Sequence, residues 1–434
     1  MRARSFLAVF ATFVATCAAS DLAASDARPD PRPGLVAVTR VASPRPVLRP
    51  QETAPAQVKM TQDNLGFSAW LGDFQTRARA AGISQATLTR TLPGLRYNTG
   101  VIGRDRNQGE FSRAIWDYLD SAVSETRIRN GRDALARHGA ALDRIEAHYG
   151  VDKQIVAAIW GLESAYGTFR GNENTIEAMA TLAYDGRRGA FFEEQLIAAL
   201  RIIEAGDVVP AGMKGSWAGA MGHTQFMHTS YLAYAVDFDG DGRRDIWSDD
   251  PTDALASAAA YLAGFGWEKG APWGVEVVLP EAFDYRLADG RRQSTEAWHA
   301  LGIRSMSGAV LPDNDRAEIL LPAGARGPAL MIFPNFRVIE RYNSADAYVI
   351  AIGHLADRLR GAPDFRADWP RGDRALRLAE REELQRALTR AGFSTKGVDG
   401  RIGPNTIGAI RSYQQATGLI PDGYASLDLL NRLR

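Results

Sequence analysis

Cysteine is almost missing from this chain: among 434 residues only Cys17 carries a thiol. It sits in a stretch that reads as a removable signal, so the mature chain would hold no thiol. That excludes disulfides, thiolate-bound metals and a cysteine nucleophile together. Long hydrophobic runs are missing too. Residues 6–19 are apolar apart from Thr12, Thr16 and Cys17, a run of about 14 where a membrane-spanning helix needs about 20. With Arg2 and Arg4 before it and Ala18, Ala19 and Ser20 after it, residues 1–20 read as a secretory signal peptide. An N-terminal anchor is the alternative. So is lipid attachment at Cys17, the only route by which a cleaved chain would contact a membrane, for which Thr16 is a poor preceding residue. Charge of one sign is also lacking, with Lys plus Arg and Asp plus Glu at 51 each. No nucleic acid or anionic surface is called for. The chain has no His-Glu-x-x-His run and no Gly-x-Ser-x-Gly elbow, which argues against a zinc protease and a serine hydrolase.

What is present is an ordinary globular balance, 45% apolar and 24% charged, long enough for a large domain and a small one. Residues 21–62, rich in Pro, Arg, Ala and Asp, read as a disordered leader. Helical periodicity begins near Phe67, with Trp70, Phe74 and Ala78, and continues to about Gly264. The interval 133–149, with Leu135, Leu142, Ile145 and Tyr149, reads as one helix closed by Gly150. Short apolar stretches at 275–279, 319–321 and 329–332 read as strands of a small β-containing lobe, and helix returns at 345–359. The fold class is therefore mainly α (α+β). We expect a domain over 63–360, a linker at 361–375 and a three-helix module at 376–434.

Two stretches carry chemistry. Asp152 is placed to cap a helix running to about Tyr166, with Gly167 as its stop. Within it Val156, Ile159, Trp160 and Glu163 share one face. A carboxyl on an apolar stripe in the last turn is disfavoured as an anion by burial and by the helix dipole, as a general acid near neutral pH requires. Spacing alone favours the plainer reading, a surface Glu at the edge of a core face. Residues 215–231, GSWAGAMGHTQFMHTSY, combine glycines, neutral hydrogen-bonding groups (Ser216, Thr224, Gln225, Ser230) and flat aromatics (Trp217, Phe226, Tyr231). That mixture suits a sugar's hydroxyl rim and apolar faces, or a tight helix-packing corner.

Together, WGLESAYG at 160–167 and the 215–231 stretch resemble the lytic murein transglycosylase B family, whose catalytic core is lysozyme-like. QGEF at 108–111, Trp116 and Tyr118, ENTIEAMATLAYDGRR at 173–188 and NFRVIERYNSADAY at 335–348 agree in order. The resemblance spans about 67–359. It implies cleavage of the β-1,4 bond between N-acetylmuramic acid and N-acetylglucosamine without water, leaving a 1,6-anhydro end and requiring no cofactor. Glu163 would act as acid and then as base, and no second carboxylate is evident. Ser216, Gln225, Tyr118, Tyr261, Tyr342 and Tyr348 would line the cleft, and Arg187 and Arg188 would contact glycan or peptide. Ser216 and Tyr342 are the expected groups orienting the acetamido group and Glu163. His223 and His228 depart from the family pattern. His228 is expected to alter the turn after Gln225 and the fit of a stem peptide.

Asp237, Asp239, Asp241, Gly242 and Asp245 stand at positions 1, 3, 5, 6 and 9 of a calcium loop, with Arg243 offering its carbonyl at position 7. Position 12 is Ser248, so the closing carboxylate would come from Asp249, Asp250 or Asp253. The resemblance favours Asp253, because a relative binds calcium here. A metal-free set of Asx turns is the alternative. The tail, with LQ at 384–385, VDGRIGPNT at 398–406, YQ at 413–414 and DG at 422–423, resembles the peptidoglycan-binding domain attached to wall enzymes. The implied partner is peptidoglycan glycan strands and the implied location is the periplasm. A lysozyme-type hydrolase on the same scaffold and a non-catalytic wall-binding protein are the competing readings.

Overall fold

A computed structural model describes the backbone of residues 55–106 and 113–434 and the side chains of 64–106 and 113–434. The signal segment with Cys17, most of the leader, and QGEF at 108–111 lie outside the described residues. The first helix, α1 (Pro55–Ala80), starts within the stretch read as leader. It is followed by α2 (Gln85–Thr91), α3 (Thr99–Arg106), α4 (Ile115–Ala122), α5 (Glu125–Arg137) and α6 (Gly139–Tyr149). The interval 133–149 is thus two helices rather than one. The chain breaks at His138, which leaves helical geometry and caps both neighbours, while Gly150 ends α6 at φ 67 as expected.

The hub is α7 (Lys153–Ser164), in which every residue from Ile155 to Gly161 is buried. The expected one-sided stripe is therefore wrong in detail, because the helix is covered all round. Ala157, Ala158 and Gly161 are small enough for neighbours to close on the faces that the large residues leave. Those neighbours are α5, α6, α11 (Thr252–Gly264) and α14 (Asp346–Leu359). Between α7 and α11 run α8 (Thr175–Asp185), α9 (Gly189–Ala205) and α10 (His228–Tyr234). A short antiparallel pair, β1 (Glu173–Asn174) and β2 (Lys214–Gly215), sets Glu173 opposite Gly215 and so joins the segment after α7 to the glycine-rich loop.

The β-containing lobe is an antiparallel sheet in the order β4-β3-β6-β5. Its strands are β3 (Gly274–Val278), β4 (Arg304–Ser305), β5 (Glu318–Leu320) and β6 (Ala329–Ile332), with α12 (Thr295–Ala300) beside them. Val277, Trp298, Ile303, Ile319, Met331 and Phe333 form its separate core. The chain then returns through α13 (Pro334–Tyr342) to α14. The C-terminal module is α15 (Leu378–Arg390), α16 (Pro404–Ala416) and α17 (Leu427–Leu433) around Leu384, Leu388, Ile410 and Leu430. No described helix is long and apolar enough to cross a membrane.

The connector between α14 and α15 is strapped to the body. Phe365 stacks on His354 (ring centroids 4.3 Å) and Trp369 meets Trp116. The amides of Arg366 and Ala367 donate to Glu276, and Arg371 pairs with Asp120 at 2.6 Å. Its polar composition had suggested a plain linker, but its aromatic residues find partners on α14 and α4 and its backbone amides a partner on β3.

Candidate active site

Glu163 sits in the last turn of α7, where the helix ends in an unusual way. Ala165 and Tyr166 both adopt positive φ, 49 and 57, and Gly167 follows at 83. Two successive non-glycine residues in the left-handed region are costly and persist only where neighbours enforce them. Here Tyr166 donates to Arg127 O (3.0 Å), and the Ser164 hydroxyl donates to His223 O (2.6 Å) while accepting from the Gly167 amide (3.0 Å). The result is a fixed last turn with the half-buried Glu163 facing a cleft of about 620 Å³. Arg104, Arg127, Phe169, Ser216, Trp217 and Gln225 are among its walls.

Burial pushes the Glu163 carboxyl up to about 7, and the hydrogen bond from Tyr348 Oη (2.5 Å to Oε1) partly opposes the rise. An acid of that strength is half protonated near neutrality and serves both directions of proton transfer. The phenols of Tyr118, Tyr342 and Tyr348 are each raised, first by burial and next by the Glu163 carboxylate. The three tyrosines therefore surround the carboxyl closely enough to feel its charge. They come from α4, α13 and α14, remote in sequence.

The remaining expected residues divide. Ser216 and Gln225 line the cleft with Glu163. The Ser216 Oγ accepts from the Ala220 amide (3.0 Å), so its proton is the group left to offer a ligand. Gln225, at φ 52, donates from Nε2 to Gly222 O (2.9 Å) and Arg170 O (3.1 Å). Tyr342 donates to Thr224 O (2.6 Å), so it is Tyr348 rather than Tyr342 that orients Glu163. Tyr261 gives its hydroxyl to Arg341 O (2.6 Å) and borders a small hollow behind Gln225. Arg187 and Arg188 are not among the residues lining the cleft. Both are drawn to the buried Asp105 of α3, because a buried carboxylate demands cationic partners. The cleft also holds residues that the sequence reading missed. Arg104 lies on its wall and pairs with Glu173 at 2.6 Å, so a second carboxylate does border the site.

The two unexpected histidines have different fates. His228 is fully buried at the start of α10, its Nε2 within 3.3 Å of Thr175 Oγ1. It is packed against α8 and makes no direct contact with the cleft, so an effect on the fit of a stem peptide would have to pass through the backbone of the turn. Burial drives its pKa down to about 3, so it stays neutral. His223 ties the site together. The indole N–H of Trp160 on α7 donates to its Nδ1 (3.0 Å), which leaves Nε2–H to donate to Ser248 O (2.7 Å). The neutral tautomer is assigned by these partners, and burial lowers its pKa in the same sense. His223→Leu would strand the buried indole N–H. We expect it to cost about 1–3 kcal/mol, read as a lower denaturant midpoint, with His223→Gln recovering most of the loss because its amide can both accept and donate.

In the acidic loop the carboxylates of Asp237, Asp239 and Asp241 bring one oxygen each within 4.8 Å of one another. Gly240 and Gly242 turn the backbone at φ 81 and 90. This donor set, with the Arg243 carbonyl at position 7, fits a hard cation. Asp253 does not belong to the set. Its Oδ1 accepts from Phe238 N (2.8 Å) and Asp239 N (3.2 Å), and its Oδ2 from Asp245 N (3.0 Å). It is a buried staple for the loop's own amides, which the position count could not reveal.

The Transglycosylase SLT domain matches residues 66–357 and a peptidoglycan binding domain matches 377–433. SltB3 of Pseudomonas aeruginosa, solved in complex with NAG-anhNAM-pentapeptide, is 47% identical with a TM-score of 0.83, covering 85% of this chain and 99% of that one. Escherichia coli Slt35, solved with calcium, is 29% identical with a TM-score of 0.58, covering 69% of this chain and 93% of that one. Membrane-bound lytic murein transglycosylase B of Escherichia coli K12 is 33% identical over 245 residues, 55% of this chain and 65% of the relative, just under two thirds of its length. The chain therefore belongs to the lytic murein transglycosylases of the SLT-domain family and carries a peptidoglycan-binding domain at its C-terminal end.

Proposed function

We propose that the protein is a peptidoglycan lytic transglycosylase that cleaves the MurNAc-β-1,4-GlcNAc bond without water. The observation that carries this reading is Glu163, a carboxyl raised to about 7 and held by Tyr348 in a glycan-sized cleft. Protonated Glu163 gives its proton to the glycosidic oxygen as the C1–O bond breaks, while the muramyl acetamido oxygen stabilises C1. The resulting carboxylate takes the C6 hydroxyl proton, C6–O closes on C1, and Glu163 is protonated again. One residue serves both steps, so no second carboxylate is consumed. Ser216, with a hydroxyl proton to offer, is placed to hold the acetamido group. The solved complex of SltB3 with an anhydro-muramyl ligand supports this outcome. Action on the wall requires export to the periplasm, in keeping with the signal-like first 20 residues.

A two-carboxylate hydrolase is the rival reading, and Glu173 is the group it would need. Glu173→Gln tests it. Our reading expects activity within a few-fold of wild type, since Glu173 answers Arg104, whereas a two-carboxylate hydrolase would lose about 10²–10⁴-fold. The product ends decide independently, because an anhydro end weighs one water less than a reducing end by mass spectrometry.

The acidic loop is read as a structural calcium site held by Asp237, Asp239, Asp241 and the Arg243 carbonyl, with no part in the chemistry. Calcium chloride is expected to raise the Tm of wild type by linkage and to leave that of Asp237→Asn unchanged. Equal behaviour of the two proteins would remove the site.

A further inference from the structure

The C-terminal module is one unit built twice. α15 ends at Gly392 (φ 92), where Phe393 N–H returns to Leu388 O (2.9 Å). α16 ends at Gly418 (φ 72), where Leu419 N–H returns to Gln414 O (2.8 Å). A glutamine on each helix then grips an Asp-Gly turn in the loop that follows. Gln385 Nε2 donates to Asp399 Oδ1 (2.8 Å) and its Oε1 accepts from Gly400 N (2.8 Å). Gln414 Nε2 donates to Asp422 Oδ1 (2.7 Å) and its Oε1 accepts from Gly423 N (2.9 Å). Both glycines are left-handed, at φ 66 and 77.

In the second unit the turn has an occupant. Asp422 Oδ2 accepts the amide of Ala325 (2.9 Å), from the β-containing lobe. The residue before that amide, Gly324, stands at φ 66. An L side chain there would place its Cβ 2.5 Å from Asp422 Oδ2 and 2.7 Å from Tyr424 Cβ. The turn thus grips an N–H that follows a residue in the left-handed region. Glycine reaches that region, a D-residue prefers it by mirror symmetry, and an L-residue is strained in it. In the first unit the matching turn faces solvent. Asp399 is exposed, with Oδ1 engaged by Gln385 Nε2 and by the Arg401 amide (2.9 Å). The residue after the glycine is Tyr424 in one unit and an exposed Arg401 in the other.

We propose that the Asp399–Gly400–Arg401 turn is a subsite for the end of a peptidoglycan stem peptide, an inference that rests on the wall-acting function above. Asp399 Oδ2 takes the amide of the terminal D-alanine, as Asp422 takes that of Ala325. The preceding D-residue occupies the place that Gly324 fills in the other unit, and Arg401 pairs with the terminal carboxylate. Recognition of both the D-configuration and the free carboxylate would direct the enzyme to uncrosslinked stems ending in D-Ala-D-Ala. An exposed site of this size binds weakly and acts by raising local concentration on the polymer.

The test is site-resolved. Amide NMR spectra of the isotope-labelled full chain are followed during titration with a synthetic pentapeptide ending in D-Ala-D-Ala. Saturable shifts at Gly400 and Arg401 are expected. Asp399→Asn keeps an oxygen for Gln385 but turns the outer acceptor into a donor, and it should weaken binding about tenfold, as should Arg401→Gln, each by loss of one charge-assisted contact. An all-L peptide or a C-terminal amide should not shift these residues. Shifts confined to the Glu163 cleft, equal shifts with the all-L peptide, or no effect of Asp399→Asn would overturn the proposal. An unshifted remainder of the variant's spectrum shows that the module is folded. Because the free peptide has no glycan, its failure to bind would leave the cleavage reaction untouched.

Discussion

Glu163→Gln is expected to lower turnover on purified peptidoglycan by at least about 10³-fold while binding to the polymer is kept, since it removes the group that moves both protons. The same substitution should stabilise the fold at alkaline pH. The Glu163 carboxyl titrates near its ordinary 4.5 when unfolded and at about 7 when folded. Between those values the folded state holds the proton that the unfolded state has released, so wild-type stability falls as pH rises through the window and then levels off. The difference corresponds to roughly 3 kcal/mol. Gln has no such window. Its Tm should match that of wild type near pH 4 and exceed it at pH 8, and equal values at pH 8 would show that the carboxyl is not raised. The alkaline limb of wild-type kcat/KM should fall near pH 7 for the same reason.

Tyr348→Phe carries the second large effect. Its hydroxyl is the donor that stabilises the Glu163 anion and fixes its orientation. Without it we expect turnover to fall about tenfold or more, the worth of a lost hydrogen bond to a charged group. The alkaline limb should move to higher pH, because the remaining influence, burial, raises the carboxyl further. A purely structural tyrosine would lower the rate without moving the profile. Tyr342→Phe serves as the contrast: its hydroxyl serves Thr224 O, so the limb should move less.

The helical body, the three strands read at 275–279, 319–321 and 329–332, and the three-helix module were legible because each is written in local periodicity and turn residues. Glu163 stood out locally as a carboxylate among apolar helical positions, but periodicity alone favoured a Glu at the edge of a core face, and its catalytic role came from the family resemblance. What escaped were the partners. Tyr348 lies 185 residues from Glu163, and nothing local distinguishes it from Tyr342, which faces Thr224 instead. Arg187 and Arg188 carried a family resemblance to substrate contacts, yet the buried Asp105, 82 residues away, claims them. Glu173 was part of a matched stretch with no role read for it, and the β1–β2 pairing sets it on the cleft wall. Asp253 could be counted into a metal loop but not seen to be engaged by three of the loop's own amides. The signal that could have exposed His223 was its own oddity, a histidine in a glycine-rich turn facing a helix that carries a tryptophan. Local rules reveal which residues are unusual, and long-range packing decides what each one touches.

In the proposed reaction C1 is captured by the substrate's own C6 oxygen and not by water. This is tested most directly by digesting purified peptidoglycan with the wild-type protein in water enriched in ¹⁸O and weighing the muramyl products. Anhydro ends free of label are expected. Reducing ends carrying ¹⁸O at C1 would contradict it and make the protein a hydrolase.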